Sequence, residues 1–225
     1  MSSSGKPIKN IIFINQASGY LTIDIINAFA QYCEKVVLIA GSIRVQDIAL
    51  NENVKCERIT KYNRGNPAKK FFSWLIGTIQ ILFLLLFKYR QYEIFYFTIP
   101  PFAYLLSLIL PNKFSILVFD VYPDVLKIYG ISRKSLIYRL WEKWNVKLFF
   151  KAHRIFTIGE KMAELIMQYT ERERITIIPL WTGLTDAKPV CKEENKWLRE
   201  LGLTDKFIVE YSGNIGYTHN VEVVV

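Results

Sequence analysis

The sequence predicts an α/β protein with a doubly wound parallel sheet. Three observations carry that prediction. Apolar runs without polar alternation recur along the chain: NIIFIN at 10–15, KVVLIA at 35–40, EIFYFT at 93–98 and SILVF at 115–119. Strands of this kind are buried on both faces, as parallel strands are. Segments with apolar residues at helical spacing lie between them. Most of the runs then break abruptly at a glycine, a proline or an acid, which marks where the strand leaves the sheet.

The elements follow in order. The first run ends at Gln16-Ala17-Ser18-Gly19, and Leu21, Ile25, Ile26 and Phe29 then keep helical spacing over 20–32. The second run ends at Gly41, and 54–59 predicts a third, more exposed strand. A polar, basic stretch with Arg64, Lys69 and Lys70 leads into FFSWLIGTIQILFLLLF, 71–87. Its 17 residues are at the lower limit for a bilayer span. Three readings stay open for it: a transmembrane helix, a core helix, or a monotopic helix with basic flanks on anionic headgroups and Trp74 at the boundary. The run at 93–98 ends in Thr98-Ile99-Pro100-Pro101, followed by a short apolar helix over 102–110. SILVF then meets Asp120-Val121-Tyr122-Pro123-Asp124. Leu136, Ile137, Leu140, Trp141, Trp144, Leu148 and Phe149 predict one apolar helical face with a basic back. Strands at 154–158 and 175–179 enclose a helix opened by Gly159-Glu160.

Such β-α-β repetition is the pattern of a doubly wound sheet. Right-handed crossovers would place Gly19, Gly41, Thr98, Asp120 and Glu160 on one rim, where open α/β sheets bind ligands. After 181 the pattern restarts: a loop, a charged helix over 192–201, a predicted strand FIVEY at 207–211, and a glycine loop SGNIG at 212–216. The expected organisation is one domain over 1–180 and the first unit of a truncated second domain over 181–225.

Composition narrows the function. The chain has 225 residues, is 51% hydrophobic and carries a formal charge of +9. That excess suits a polyanionic partner, such as an anionic membrane or a phosphorylated substrate. Nucleic acid is not expected, since no binding motif accompanies the charge. The three cysteines, Cys33, Cys56 and Cys191, are widely spaced with no CxxC pair, and only two histidines occur. No metal site is expected, and free thiols fit a reducing compartment. The N-terminal MSSSGKPIKN lacks the long apolar core of a secretory signal. No GxGxxG or GKS/GKT motif supports a dinucleotide or P-loop site.

Five stretches together resemble glycosyltransferase family 4, the retaining GT-B enzymes, in its bacterial surface-polysaccharide branch: Asn15–Tyr20, Thr98–Pro101, Asp120–Asp124, Ile175–Leu180, and Tyr211–Gly216 with His219-Asn220. The resemblance implies the acceptor half of a GT-B fold followed by the start of a donor domain. It implies transfer of a sugar from a nucleotide-diphosphate sugar to a lipid-linked or glycan acceptor, without metal or other cofactor. It makes Asp120 and Asp124 the catalytic, acceptor-orienting candidates and Thr98, Tyr122 and Glu160 acceptor contacts. Gly19, Gly213, Asn214, Gly216 and His219 become donor-diphosphate contacts, through backbone N–H groups that suit a phosphate. The family's basic pair and E-x7-E motif are not in this chain, Tyr217 stands where relatives are often basic, and Gly159 where they often carry serine. The chain by itself is therefore expected to be inactive or nearly so. The expected location is the inner face of the cytoplasmic membrane, peripheral or monotopic, with residues 69–90 as the contact. The alternative expectation is a catalytically inactive fragment that binds a membrane or a partner.

Overall fold

A computed structural model describes residues 9–181 and 188–212 of the chain. The chain divides into two compact units, 1–183 and 184–225.

In the first unit seven strands form one wholly parallel sheet. In chain order the elements are β1 (Asn10–Ile14), β2 (Ala17–Ser18), α1 (Tyr20–Ala30), β3 (Lys35–Ala40), β4 (Ser42–Ile43) and β5 (Val54–Arg58). Then come α2 (Pro67–Phe87), β6 (Glu93–Phe97), β7 (Phe114–Val118), α3 (Leu136–Lys151), β8 (Arg154–Thr157), α4 (Glu160–Ile166) and β9 (Ile175–Ile177). The sheet order is β5-β3-β1-β6-β7-β8-β9, and β2 and β4 pair as a small separate parallel ladder at the rim. The chain builds outward from β1 in one direction, then returns across the sheet through α2 and builds outward from β6 in the other. The boundary between β1 and β6 is thus the topological switch point, where the two strand ends diverge and leave a crevice.

The apolar runs fold as they do because both sheet faces are covered. Within β1, Ile11 and Phe13 join the core beneath α1, while Ile12 and Ile14 join the core beneath α2 and α3. Each of these four is at most 1% exposed. Burial of a side chain of this size contributes about 1.5–3 kcal/mol, so a one-residue slip in register gains nothing by exchanging faces, and the pairing is fixed instead by the crossovers.

Helix α2 has two apolar faces and only one is covered. Asn66 caps it by accepting a bond from the Lys69 N–H, with Pro67 at its first turn. Trp74, Gly77, Thr78, Ile81 and Leu85 pack inward. Phe71, Phe72, Leu75, Ile76, Ile79, Phe83, Leu86 and Phe87 are all exposed, from 38% to 82%. Gly77 is required by close packing: a Cβ there would lie 2.7 Å from Gln16 Nε2.

Helix α3 differs from the expected face. Leu136, Ile137, Leu140 and Trp144 are at least 38% exposed, while Tyr138, Trp141, Asn145, Leu148 and Phe149 are buried. The helix is rotated so that Tyr138 and Asn145 point inward, because both have hydrogen-bond partners in the loop after β7. The expected helix over 102–110 is a shorter 3-10 turn, Tyr104–Leu108, and the irregular stretch after Asp124 contains another, Asp124–Tyr129.

In the second unit, α5 (Lys196–Glu200) is capped by Asn195, which accepts from Trp197 and Leu198 N–H groups. It is shorter than the predicted helix. Phe207–Tyr211 does not form the predicted strand, and Phe207 is 94% exposed. A strand is stabilised by cross-strand partners, and among the described residues none pairs with this segment.

Candidate functional site

Every strand of the sheet is parallel, so every C-terminal end reaches the same rim. At the switch point lies a cleft of about 260 Å³ lined by Asn15, Ala17, Gly19, Tyr20, Thr22, Thr98 and Phe119, among others. Gly19 is the N-cap of α1, with φ −116° and nothing within 4 Å of where a Cβ would stand. The fold places no demand for glycine there; the open space does allow close approach from outside the chain. Thr22 accepts a 2.7 Å bond from Asn15 Nδ2 and so joins the β1 end to α1.

The rim is held together from behind by Gln16, which is fully buried. Its Nε2 donates to the carbonyls of Thr60 and Ser73, each at 2.8 Å. Its backbone N–H donates to the Ile99 carbonyl, and its carbonyl accepts from Gly41 and Ser42. One residue thus ties the ends of β1, β3, β5 and β6 to the start of α2. Gly41 is needed here, since a Cβ would meet the Thr60 carbonyl at 2.5 Å. The sequence marked Gln16 only as part of a turn; a polar residue directly after a fully apolar strand was the available signal.

Thr98 is buried at the end of β6, and its Oγ1 accepts from the N–H groups of Phe119 and Asp120 at 3.3 Å. It fixes the point at which the chain after β7 departs. Asp120 itself is half-buried, and its carboxylate has no hydrogen bond or ion pair among the described residues. Burial raises its pKa above the ordinary carboxylate range, partly opposed by the positive charge of Lys70.

Tyr122 is buried, its ring stacked on Trp141 at 5.4 Å and edge-on to Trp74 at 6.1 Å. Its hydroxyl makes no hydrogen bond among the described residues, and burial together with the Asp120 charge raises its pKa. Asp124 contrasts with Asp120. It accepts from Lys127, from Tyr138 Oη at 2.8 Å, from Gln168 Nε2 at 3.0 Å and from Tyr169 Oη at 3.5 Å. Burial acts to raise its pKa, but the Lys127 and Tyr138 bonds outweigh that and hold it below the usual carboxylate range. Glu160, at the start of α4, is paired with Arg172, whose guanidinium reaches both carboxylate oxygens at 3.2 Å.

The structure therefore brings Gly19 and Thr98 to one cleft, and puts Asp120 on the same rim directly after the cleft residue Phe119, while Tyr122 packs against Trp141 and Trp74 in the core of the other sheet face. Asp124 is turned into the junction of α3 and α4. Gly213, Asn214, Gly216 and His219 lie outside the described residues. Among the described residues no three His, Cys, Asp or Glu side chains group as metal ligands.

No family model matches the chain, and no curated protein matches it. Solved structures with similar chain paths include CalG4, the calicheamicin glycosyltransferase (11% identity, 80% of this chain and 56% of that one, TM-score 0.46). Others are the glycotransferase of kitacinnamycin (11% identity, 83% and 57%, TM-score 0.49) and TcCGT1 in complex with UDP (10% identity, 86% and 55%, TM-score 0.46). The chain spans between 55% and 57% of the length of these structures.

Proposed function

We propose that this chain is the acceptor-binding part of a retaining glycosyltransferase that works at a membrane surface. It would take a sugar from a nucleotide-diphosphate sugar and pass it to a lipid-linked or glycan acceptor in surface-polysaccharide synthesis. The observation that carries the reading is Asp120: a carboxylate without a hydrogen-bond or ion-pair partner among the described residues, on the C-terminal rim of the sheet, directly after Phe119, which lines the switch-point cleft. A half-buried, unpaired carboxylate costs stability, and such groups cluster where chemistry is done. In this role Asp120 accepts a hydrogen bond from the acceptor hydroxyl and orients it towards the donor sugar. Asp124 acts one step back, by holding the loop. Gly19 would let a diphosphate approach the N-terminus of α1, and the remaining donor contacts would come from the segment beginning at Gly213.

Helix α2 supplies the membrane contact. It has 21 residues and a mean hydropathy of 1.9 over its most apolar window, a third of which is buried. Crossing the bilayer would strip Trp74, Ile81 and Leu85 from the sheet core, whereas lying in the interface leaves that core intact and covers the exposed stripe. Lys69 and Arg90 stand either side of its apolar stretch, 71–87, where they could meet anionic headgroups.

The test uses membranes from cells expressing the natural gene, supplied with radiolabelled nucleotide sugars. Label should enter the lipid fraction with the anomeric configuration of the donor. Asp120→Asn should abolish transfer while the protein remains folded by circular dichroism. Absence of lipid-linked label in the wild type, or full turnover in Asp120→Asn, would sink the proposal. A second reading, favoured by the uncovered face of α2, is a membrane-binding module without catalysis; it predicts vesicle binding and no label.

A further inference from the structure

Lys70 occupies an aromatic cage on the same rim. Its Nζ lies 5.0 Å from the Trp74 ring, 5.4 Å from Tyr129 and 6.0 Å from Tyr62, and it donates to Tyr129 Oη at 3.1 Å. The cage is braced. Trp74 stacks on Tyr62 at 5.9 Å and meets Tyr122 edge-on, so it is fixed directly to the loop that carries Asp120. Arg64 lies over the outer Tyr62 ring, with Cζ 5.6 Å from its centre.

Among the described residues most basic side chains have no ion pair; what sets Lys70 apart is the aromatic cage around it, and three facts bear on its charge. Lys88, Lys113 and Lys127 are each matched with a carboxylate, at Glu57, Glu93 and Asp124. Lys70 and Arg64 have no ion pair among the described residues. The rings hold the Lys70 ammonium in place without neutralising it, and an ammonium has three donors, so donors remain after the bond to Tyr129. The helix end itself does not call for a cation: Lys69 and Lys70 sit near the start of α2, which holds no acid in its first turn, where the helix dipole disfavours positive charge.

We infer that Lys70 and Arg64 form an anion seat for a phosphate group of the acceptor, next to the Asp120 carboxylate and Tyr122 hydroxyl that take its sugar hydroxyl. The assignment of the phosphate to an acceptor rests on the glycosyltransferase reading; the seat itself does not. An ammonium beside an open carboxylate matches a ligand that presents an acid and a hydroxyl close together, as a sugar linked through phosphate does. Charge-assisted bonds of this type are the strong ones. The exposed apolar stripe of α2 starts one residue after Lys70, at Phe71 and Phe72. A phosphate on Lys70 is therefore where an apolar tail would pass directly onto the membrane-facing helix.

Isothermal titration of the whole chain with farnesyl diphosphate and with inorganic pyrophosphate tests this. Both should bind, and Lys70→Gln should weaken both at least tenfold. Lys70→Arg should restore most of the affinity. Arg64→Gln and Tyr129→Phe should each weaken binding a few-fold with the ring wall retained. A third arm measures sedimentation with phosphatidylglycerol vesicles, where Lys70→Gln should have little effect because the apolar stripe carries that contact. Unchanged diphosphate affinity in a folded Lys70→Gln overturns the inference. So does a loss confined to the vesicle arm, which would make Lys70 a general headgroup contact. Failure of sugar transfer with Lys70-dependent diphosphate binding intact sinks the glycosyltransferase reading and leaves the seat; the reverse result sinks the seat alone.

Discussion

The two carboxylates of one short loop are treated in opposite ways. Asp120 leaves the end of β7 half-buried with no partner, and its pKa is raised. Asp124, four residues on, has four partners drawn from its own turn, α3 and the end of α4, and its pKa is lowered. The same side chain thus serves as an anchor at one end of the loop and as an open group at the other. The lesson is that a motif names positions, whereas roles follow from the partners that the fold supplies. In this loop the bonded acid makes the unbonded one precise: Asp124, Asn145 and the stacked Tyr122–Trp141 pair fix the backbone from which Asp120 projects.

The largest expected effect tests the anchor. Asp124→Ala removes the bonds from Tyr138 and Gln168 and leaves the fully buried Tyr138 with an unmatched hydroxyl proton. A loss of about 2 kcal/mol is expected, or about 4–8 °C in Tm for a domain of this size. Tyr138→Phe should cost less, and the double variant should fall short of the sum, since the two share one bond. Additive losses in thermal melts would show that Asp124 is not held by Tyr138.

A smaller effect separates the two acids by pH. The folded pKa of Asp124 is depressed, so its contribution is present above the ordinary carboxylate value and is lost as pH falls through the folded one. The stability gap between wild type and Asp124→Ala should therefore narrow on acidification below about pH 4. For Asp120 the folded pKa is raised, so its charged form opposes folding at neutral pH. Its penalty should fade as pH drops through that raised value, before Asp124 begins to titrate. Denaturant midpoints from pH 3 to 7 would check both slopes, and equal slopes would erase the distinction.

The smallest effect is on Asp120 itself. Asp120→Asn should change stability by less than about 0.5 kcal/mol, or raise it, because no bond is broken and a half-buried charge is removed. A loss of 2 kcal/mol or more in chemical denaturation would mean that Asp120 is an anchor as well.

Much of the fold was legible in the chain. Buried parallel strands read as unbroken apolar runs, so β1, β3, β6 and β7 stood out, and each break at Gly19, Gly41, Thr98 or Asp120 did fall on the shared rim. The less regular pieces were harder. FIVEY at 207–211 has the composition of a strand, yet composition does not supply a neighbour to pair with. The α3 stripe was misplaced because Leu136, Ile137, Leu140 and Trp144 are as apolar as the residues that pack. Tyr138 and Asn145 took the inner positions for the sake of hydrogen bonds to residues 14 and 23 positions away, and periodicity does not register such bonds. In the site, the acids were visible as a motif. The cage was not, since Tyr62, Trp74 and Tyr129 are dispersed over nearly 70 positions.

The sequence by itself determined the elements and their order, because hydrophobic period and chain punctuation are local properties. It also determined that the strand ends share a rim, because parallel crossovers have one hand. Only the tertiary structure decided which face of α2 is covered, which acid is free and which lysine is caged. Each of these depends on distant residues meeting, and the charge of a side chain is matched or left open only once its neighbours are in place.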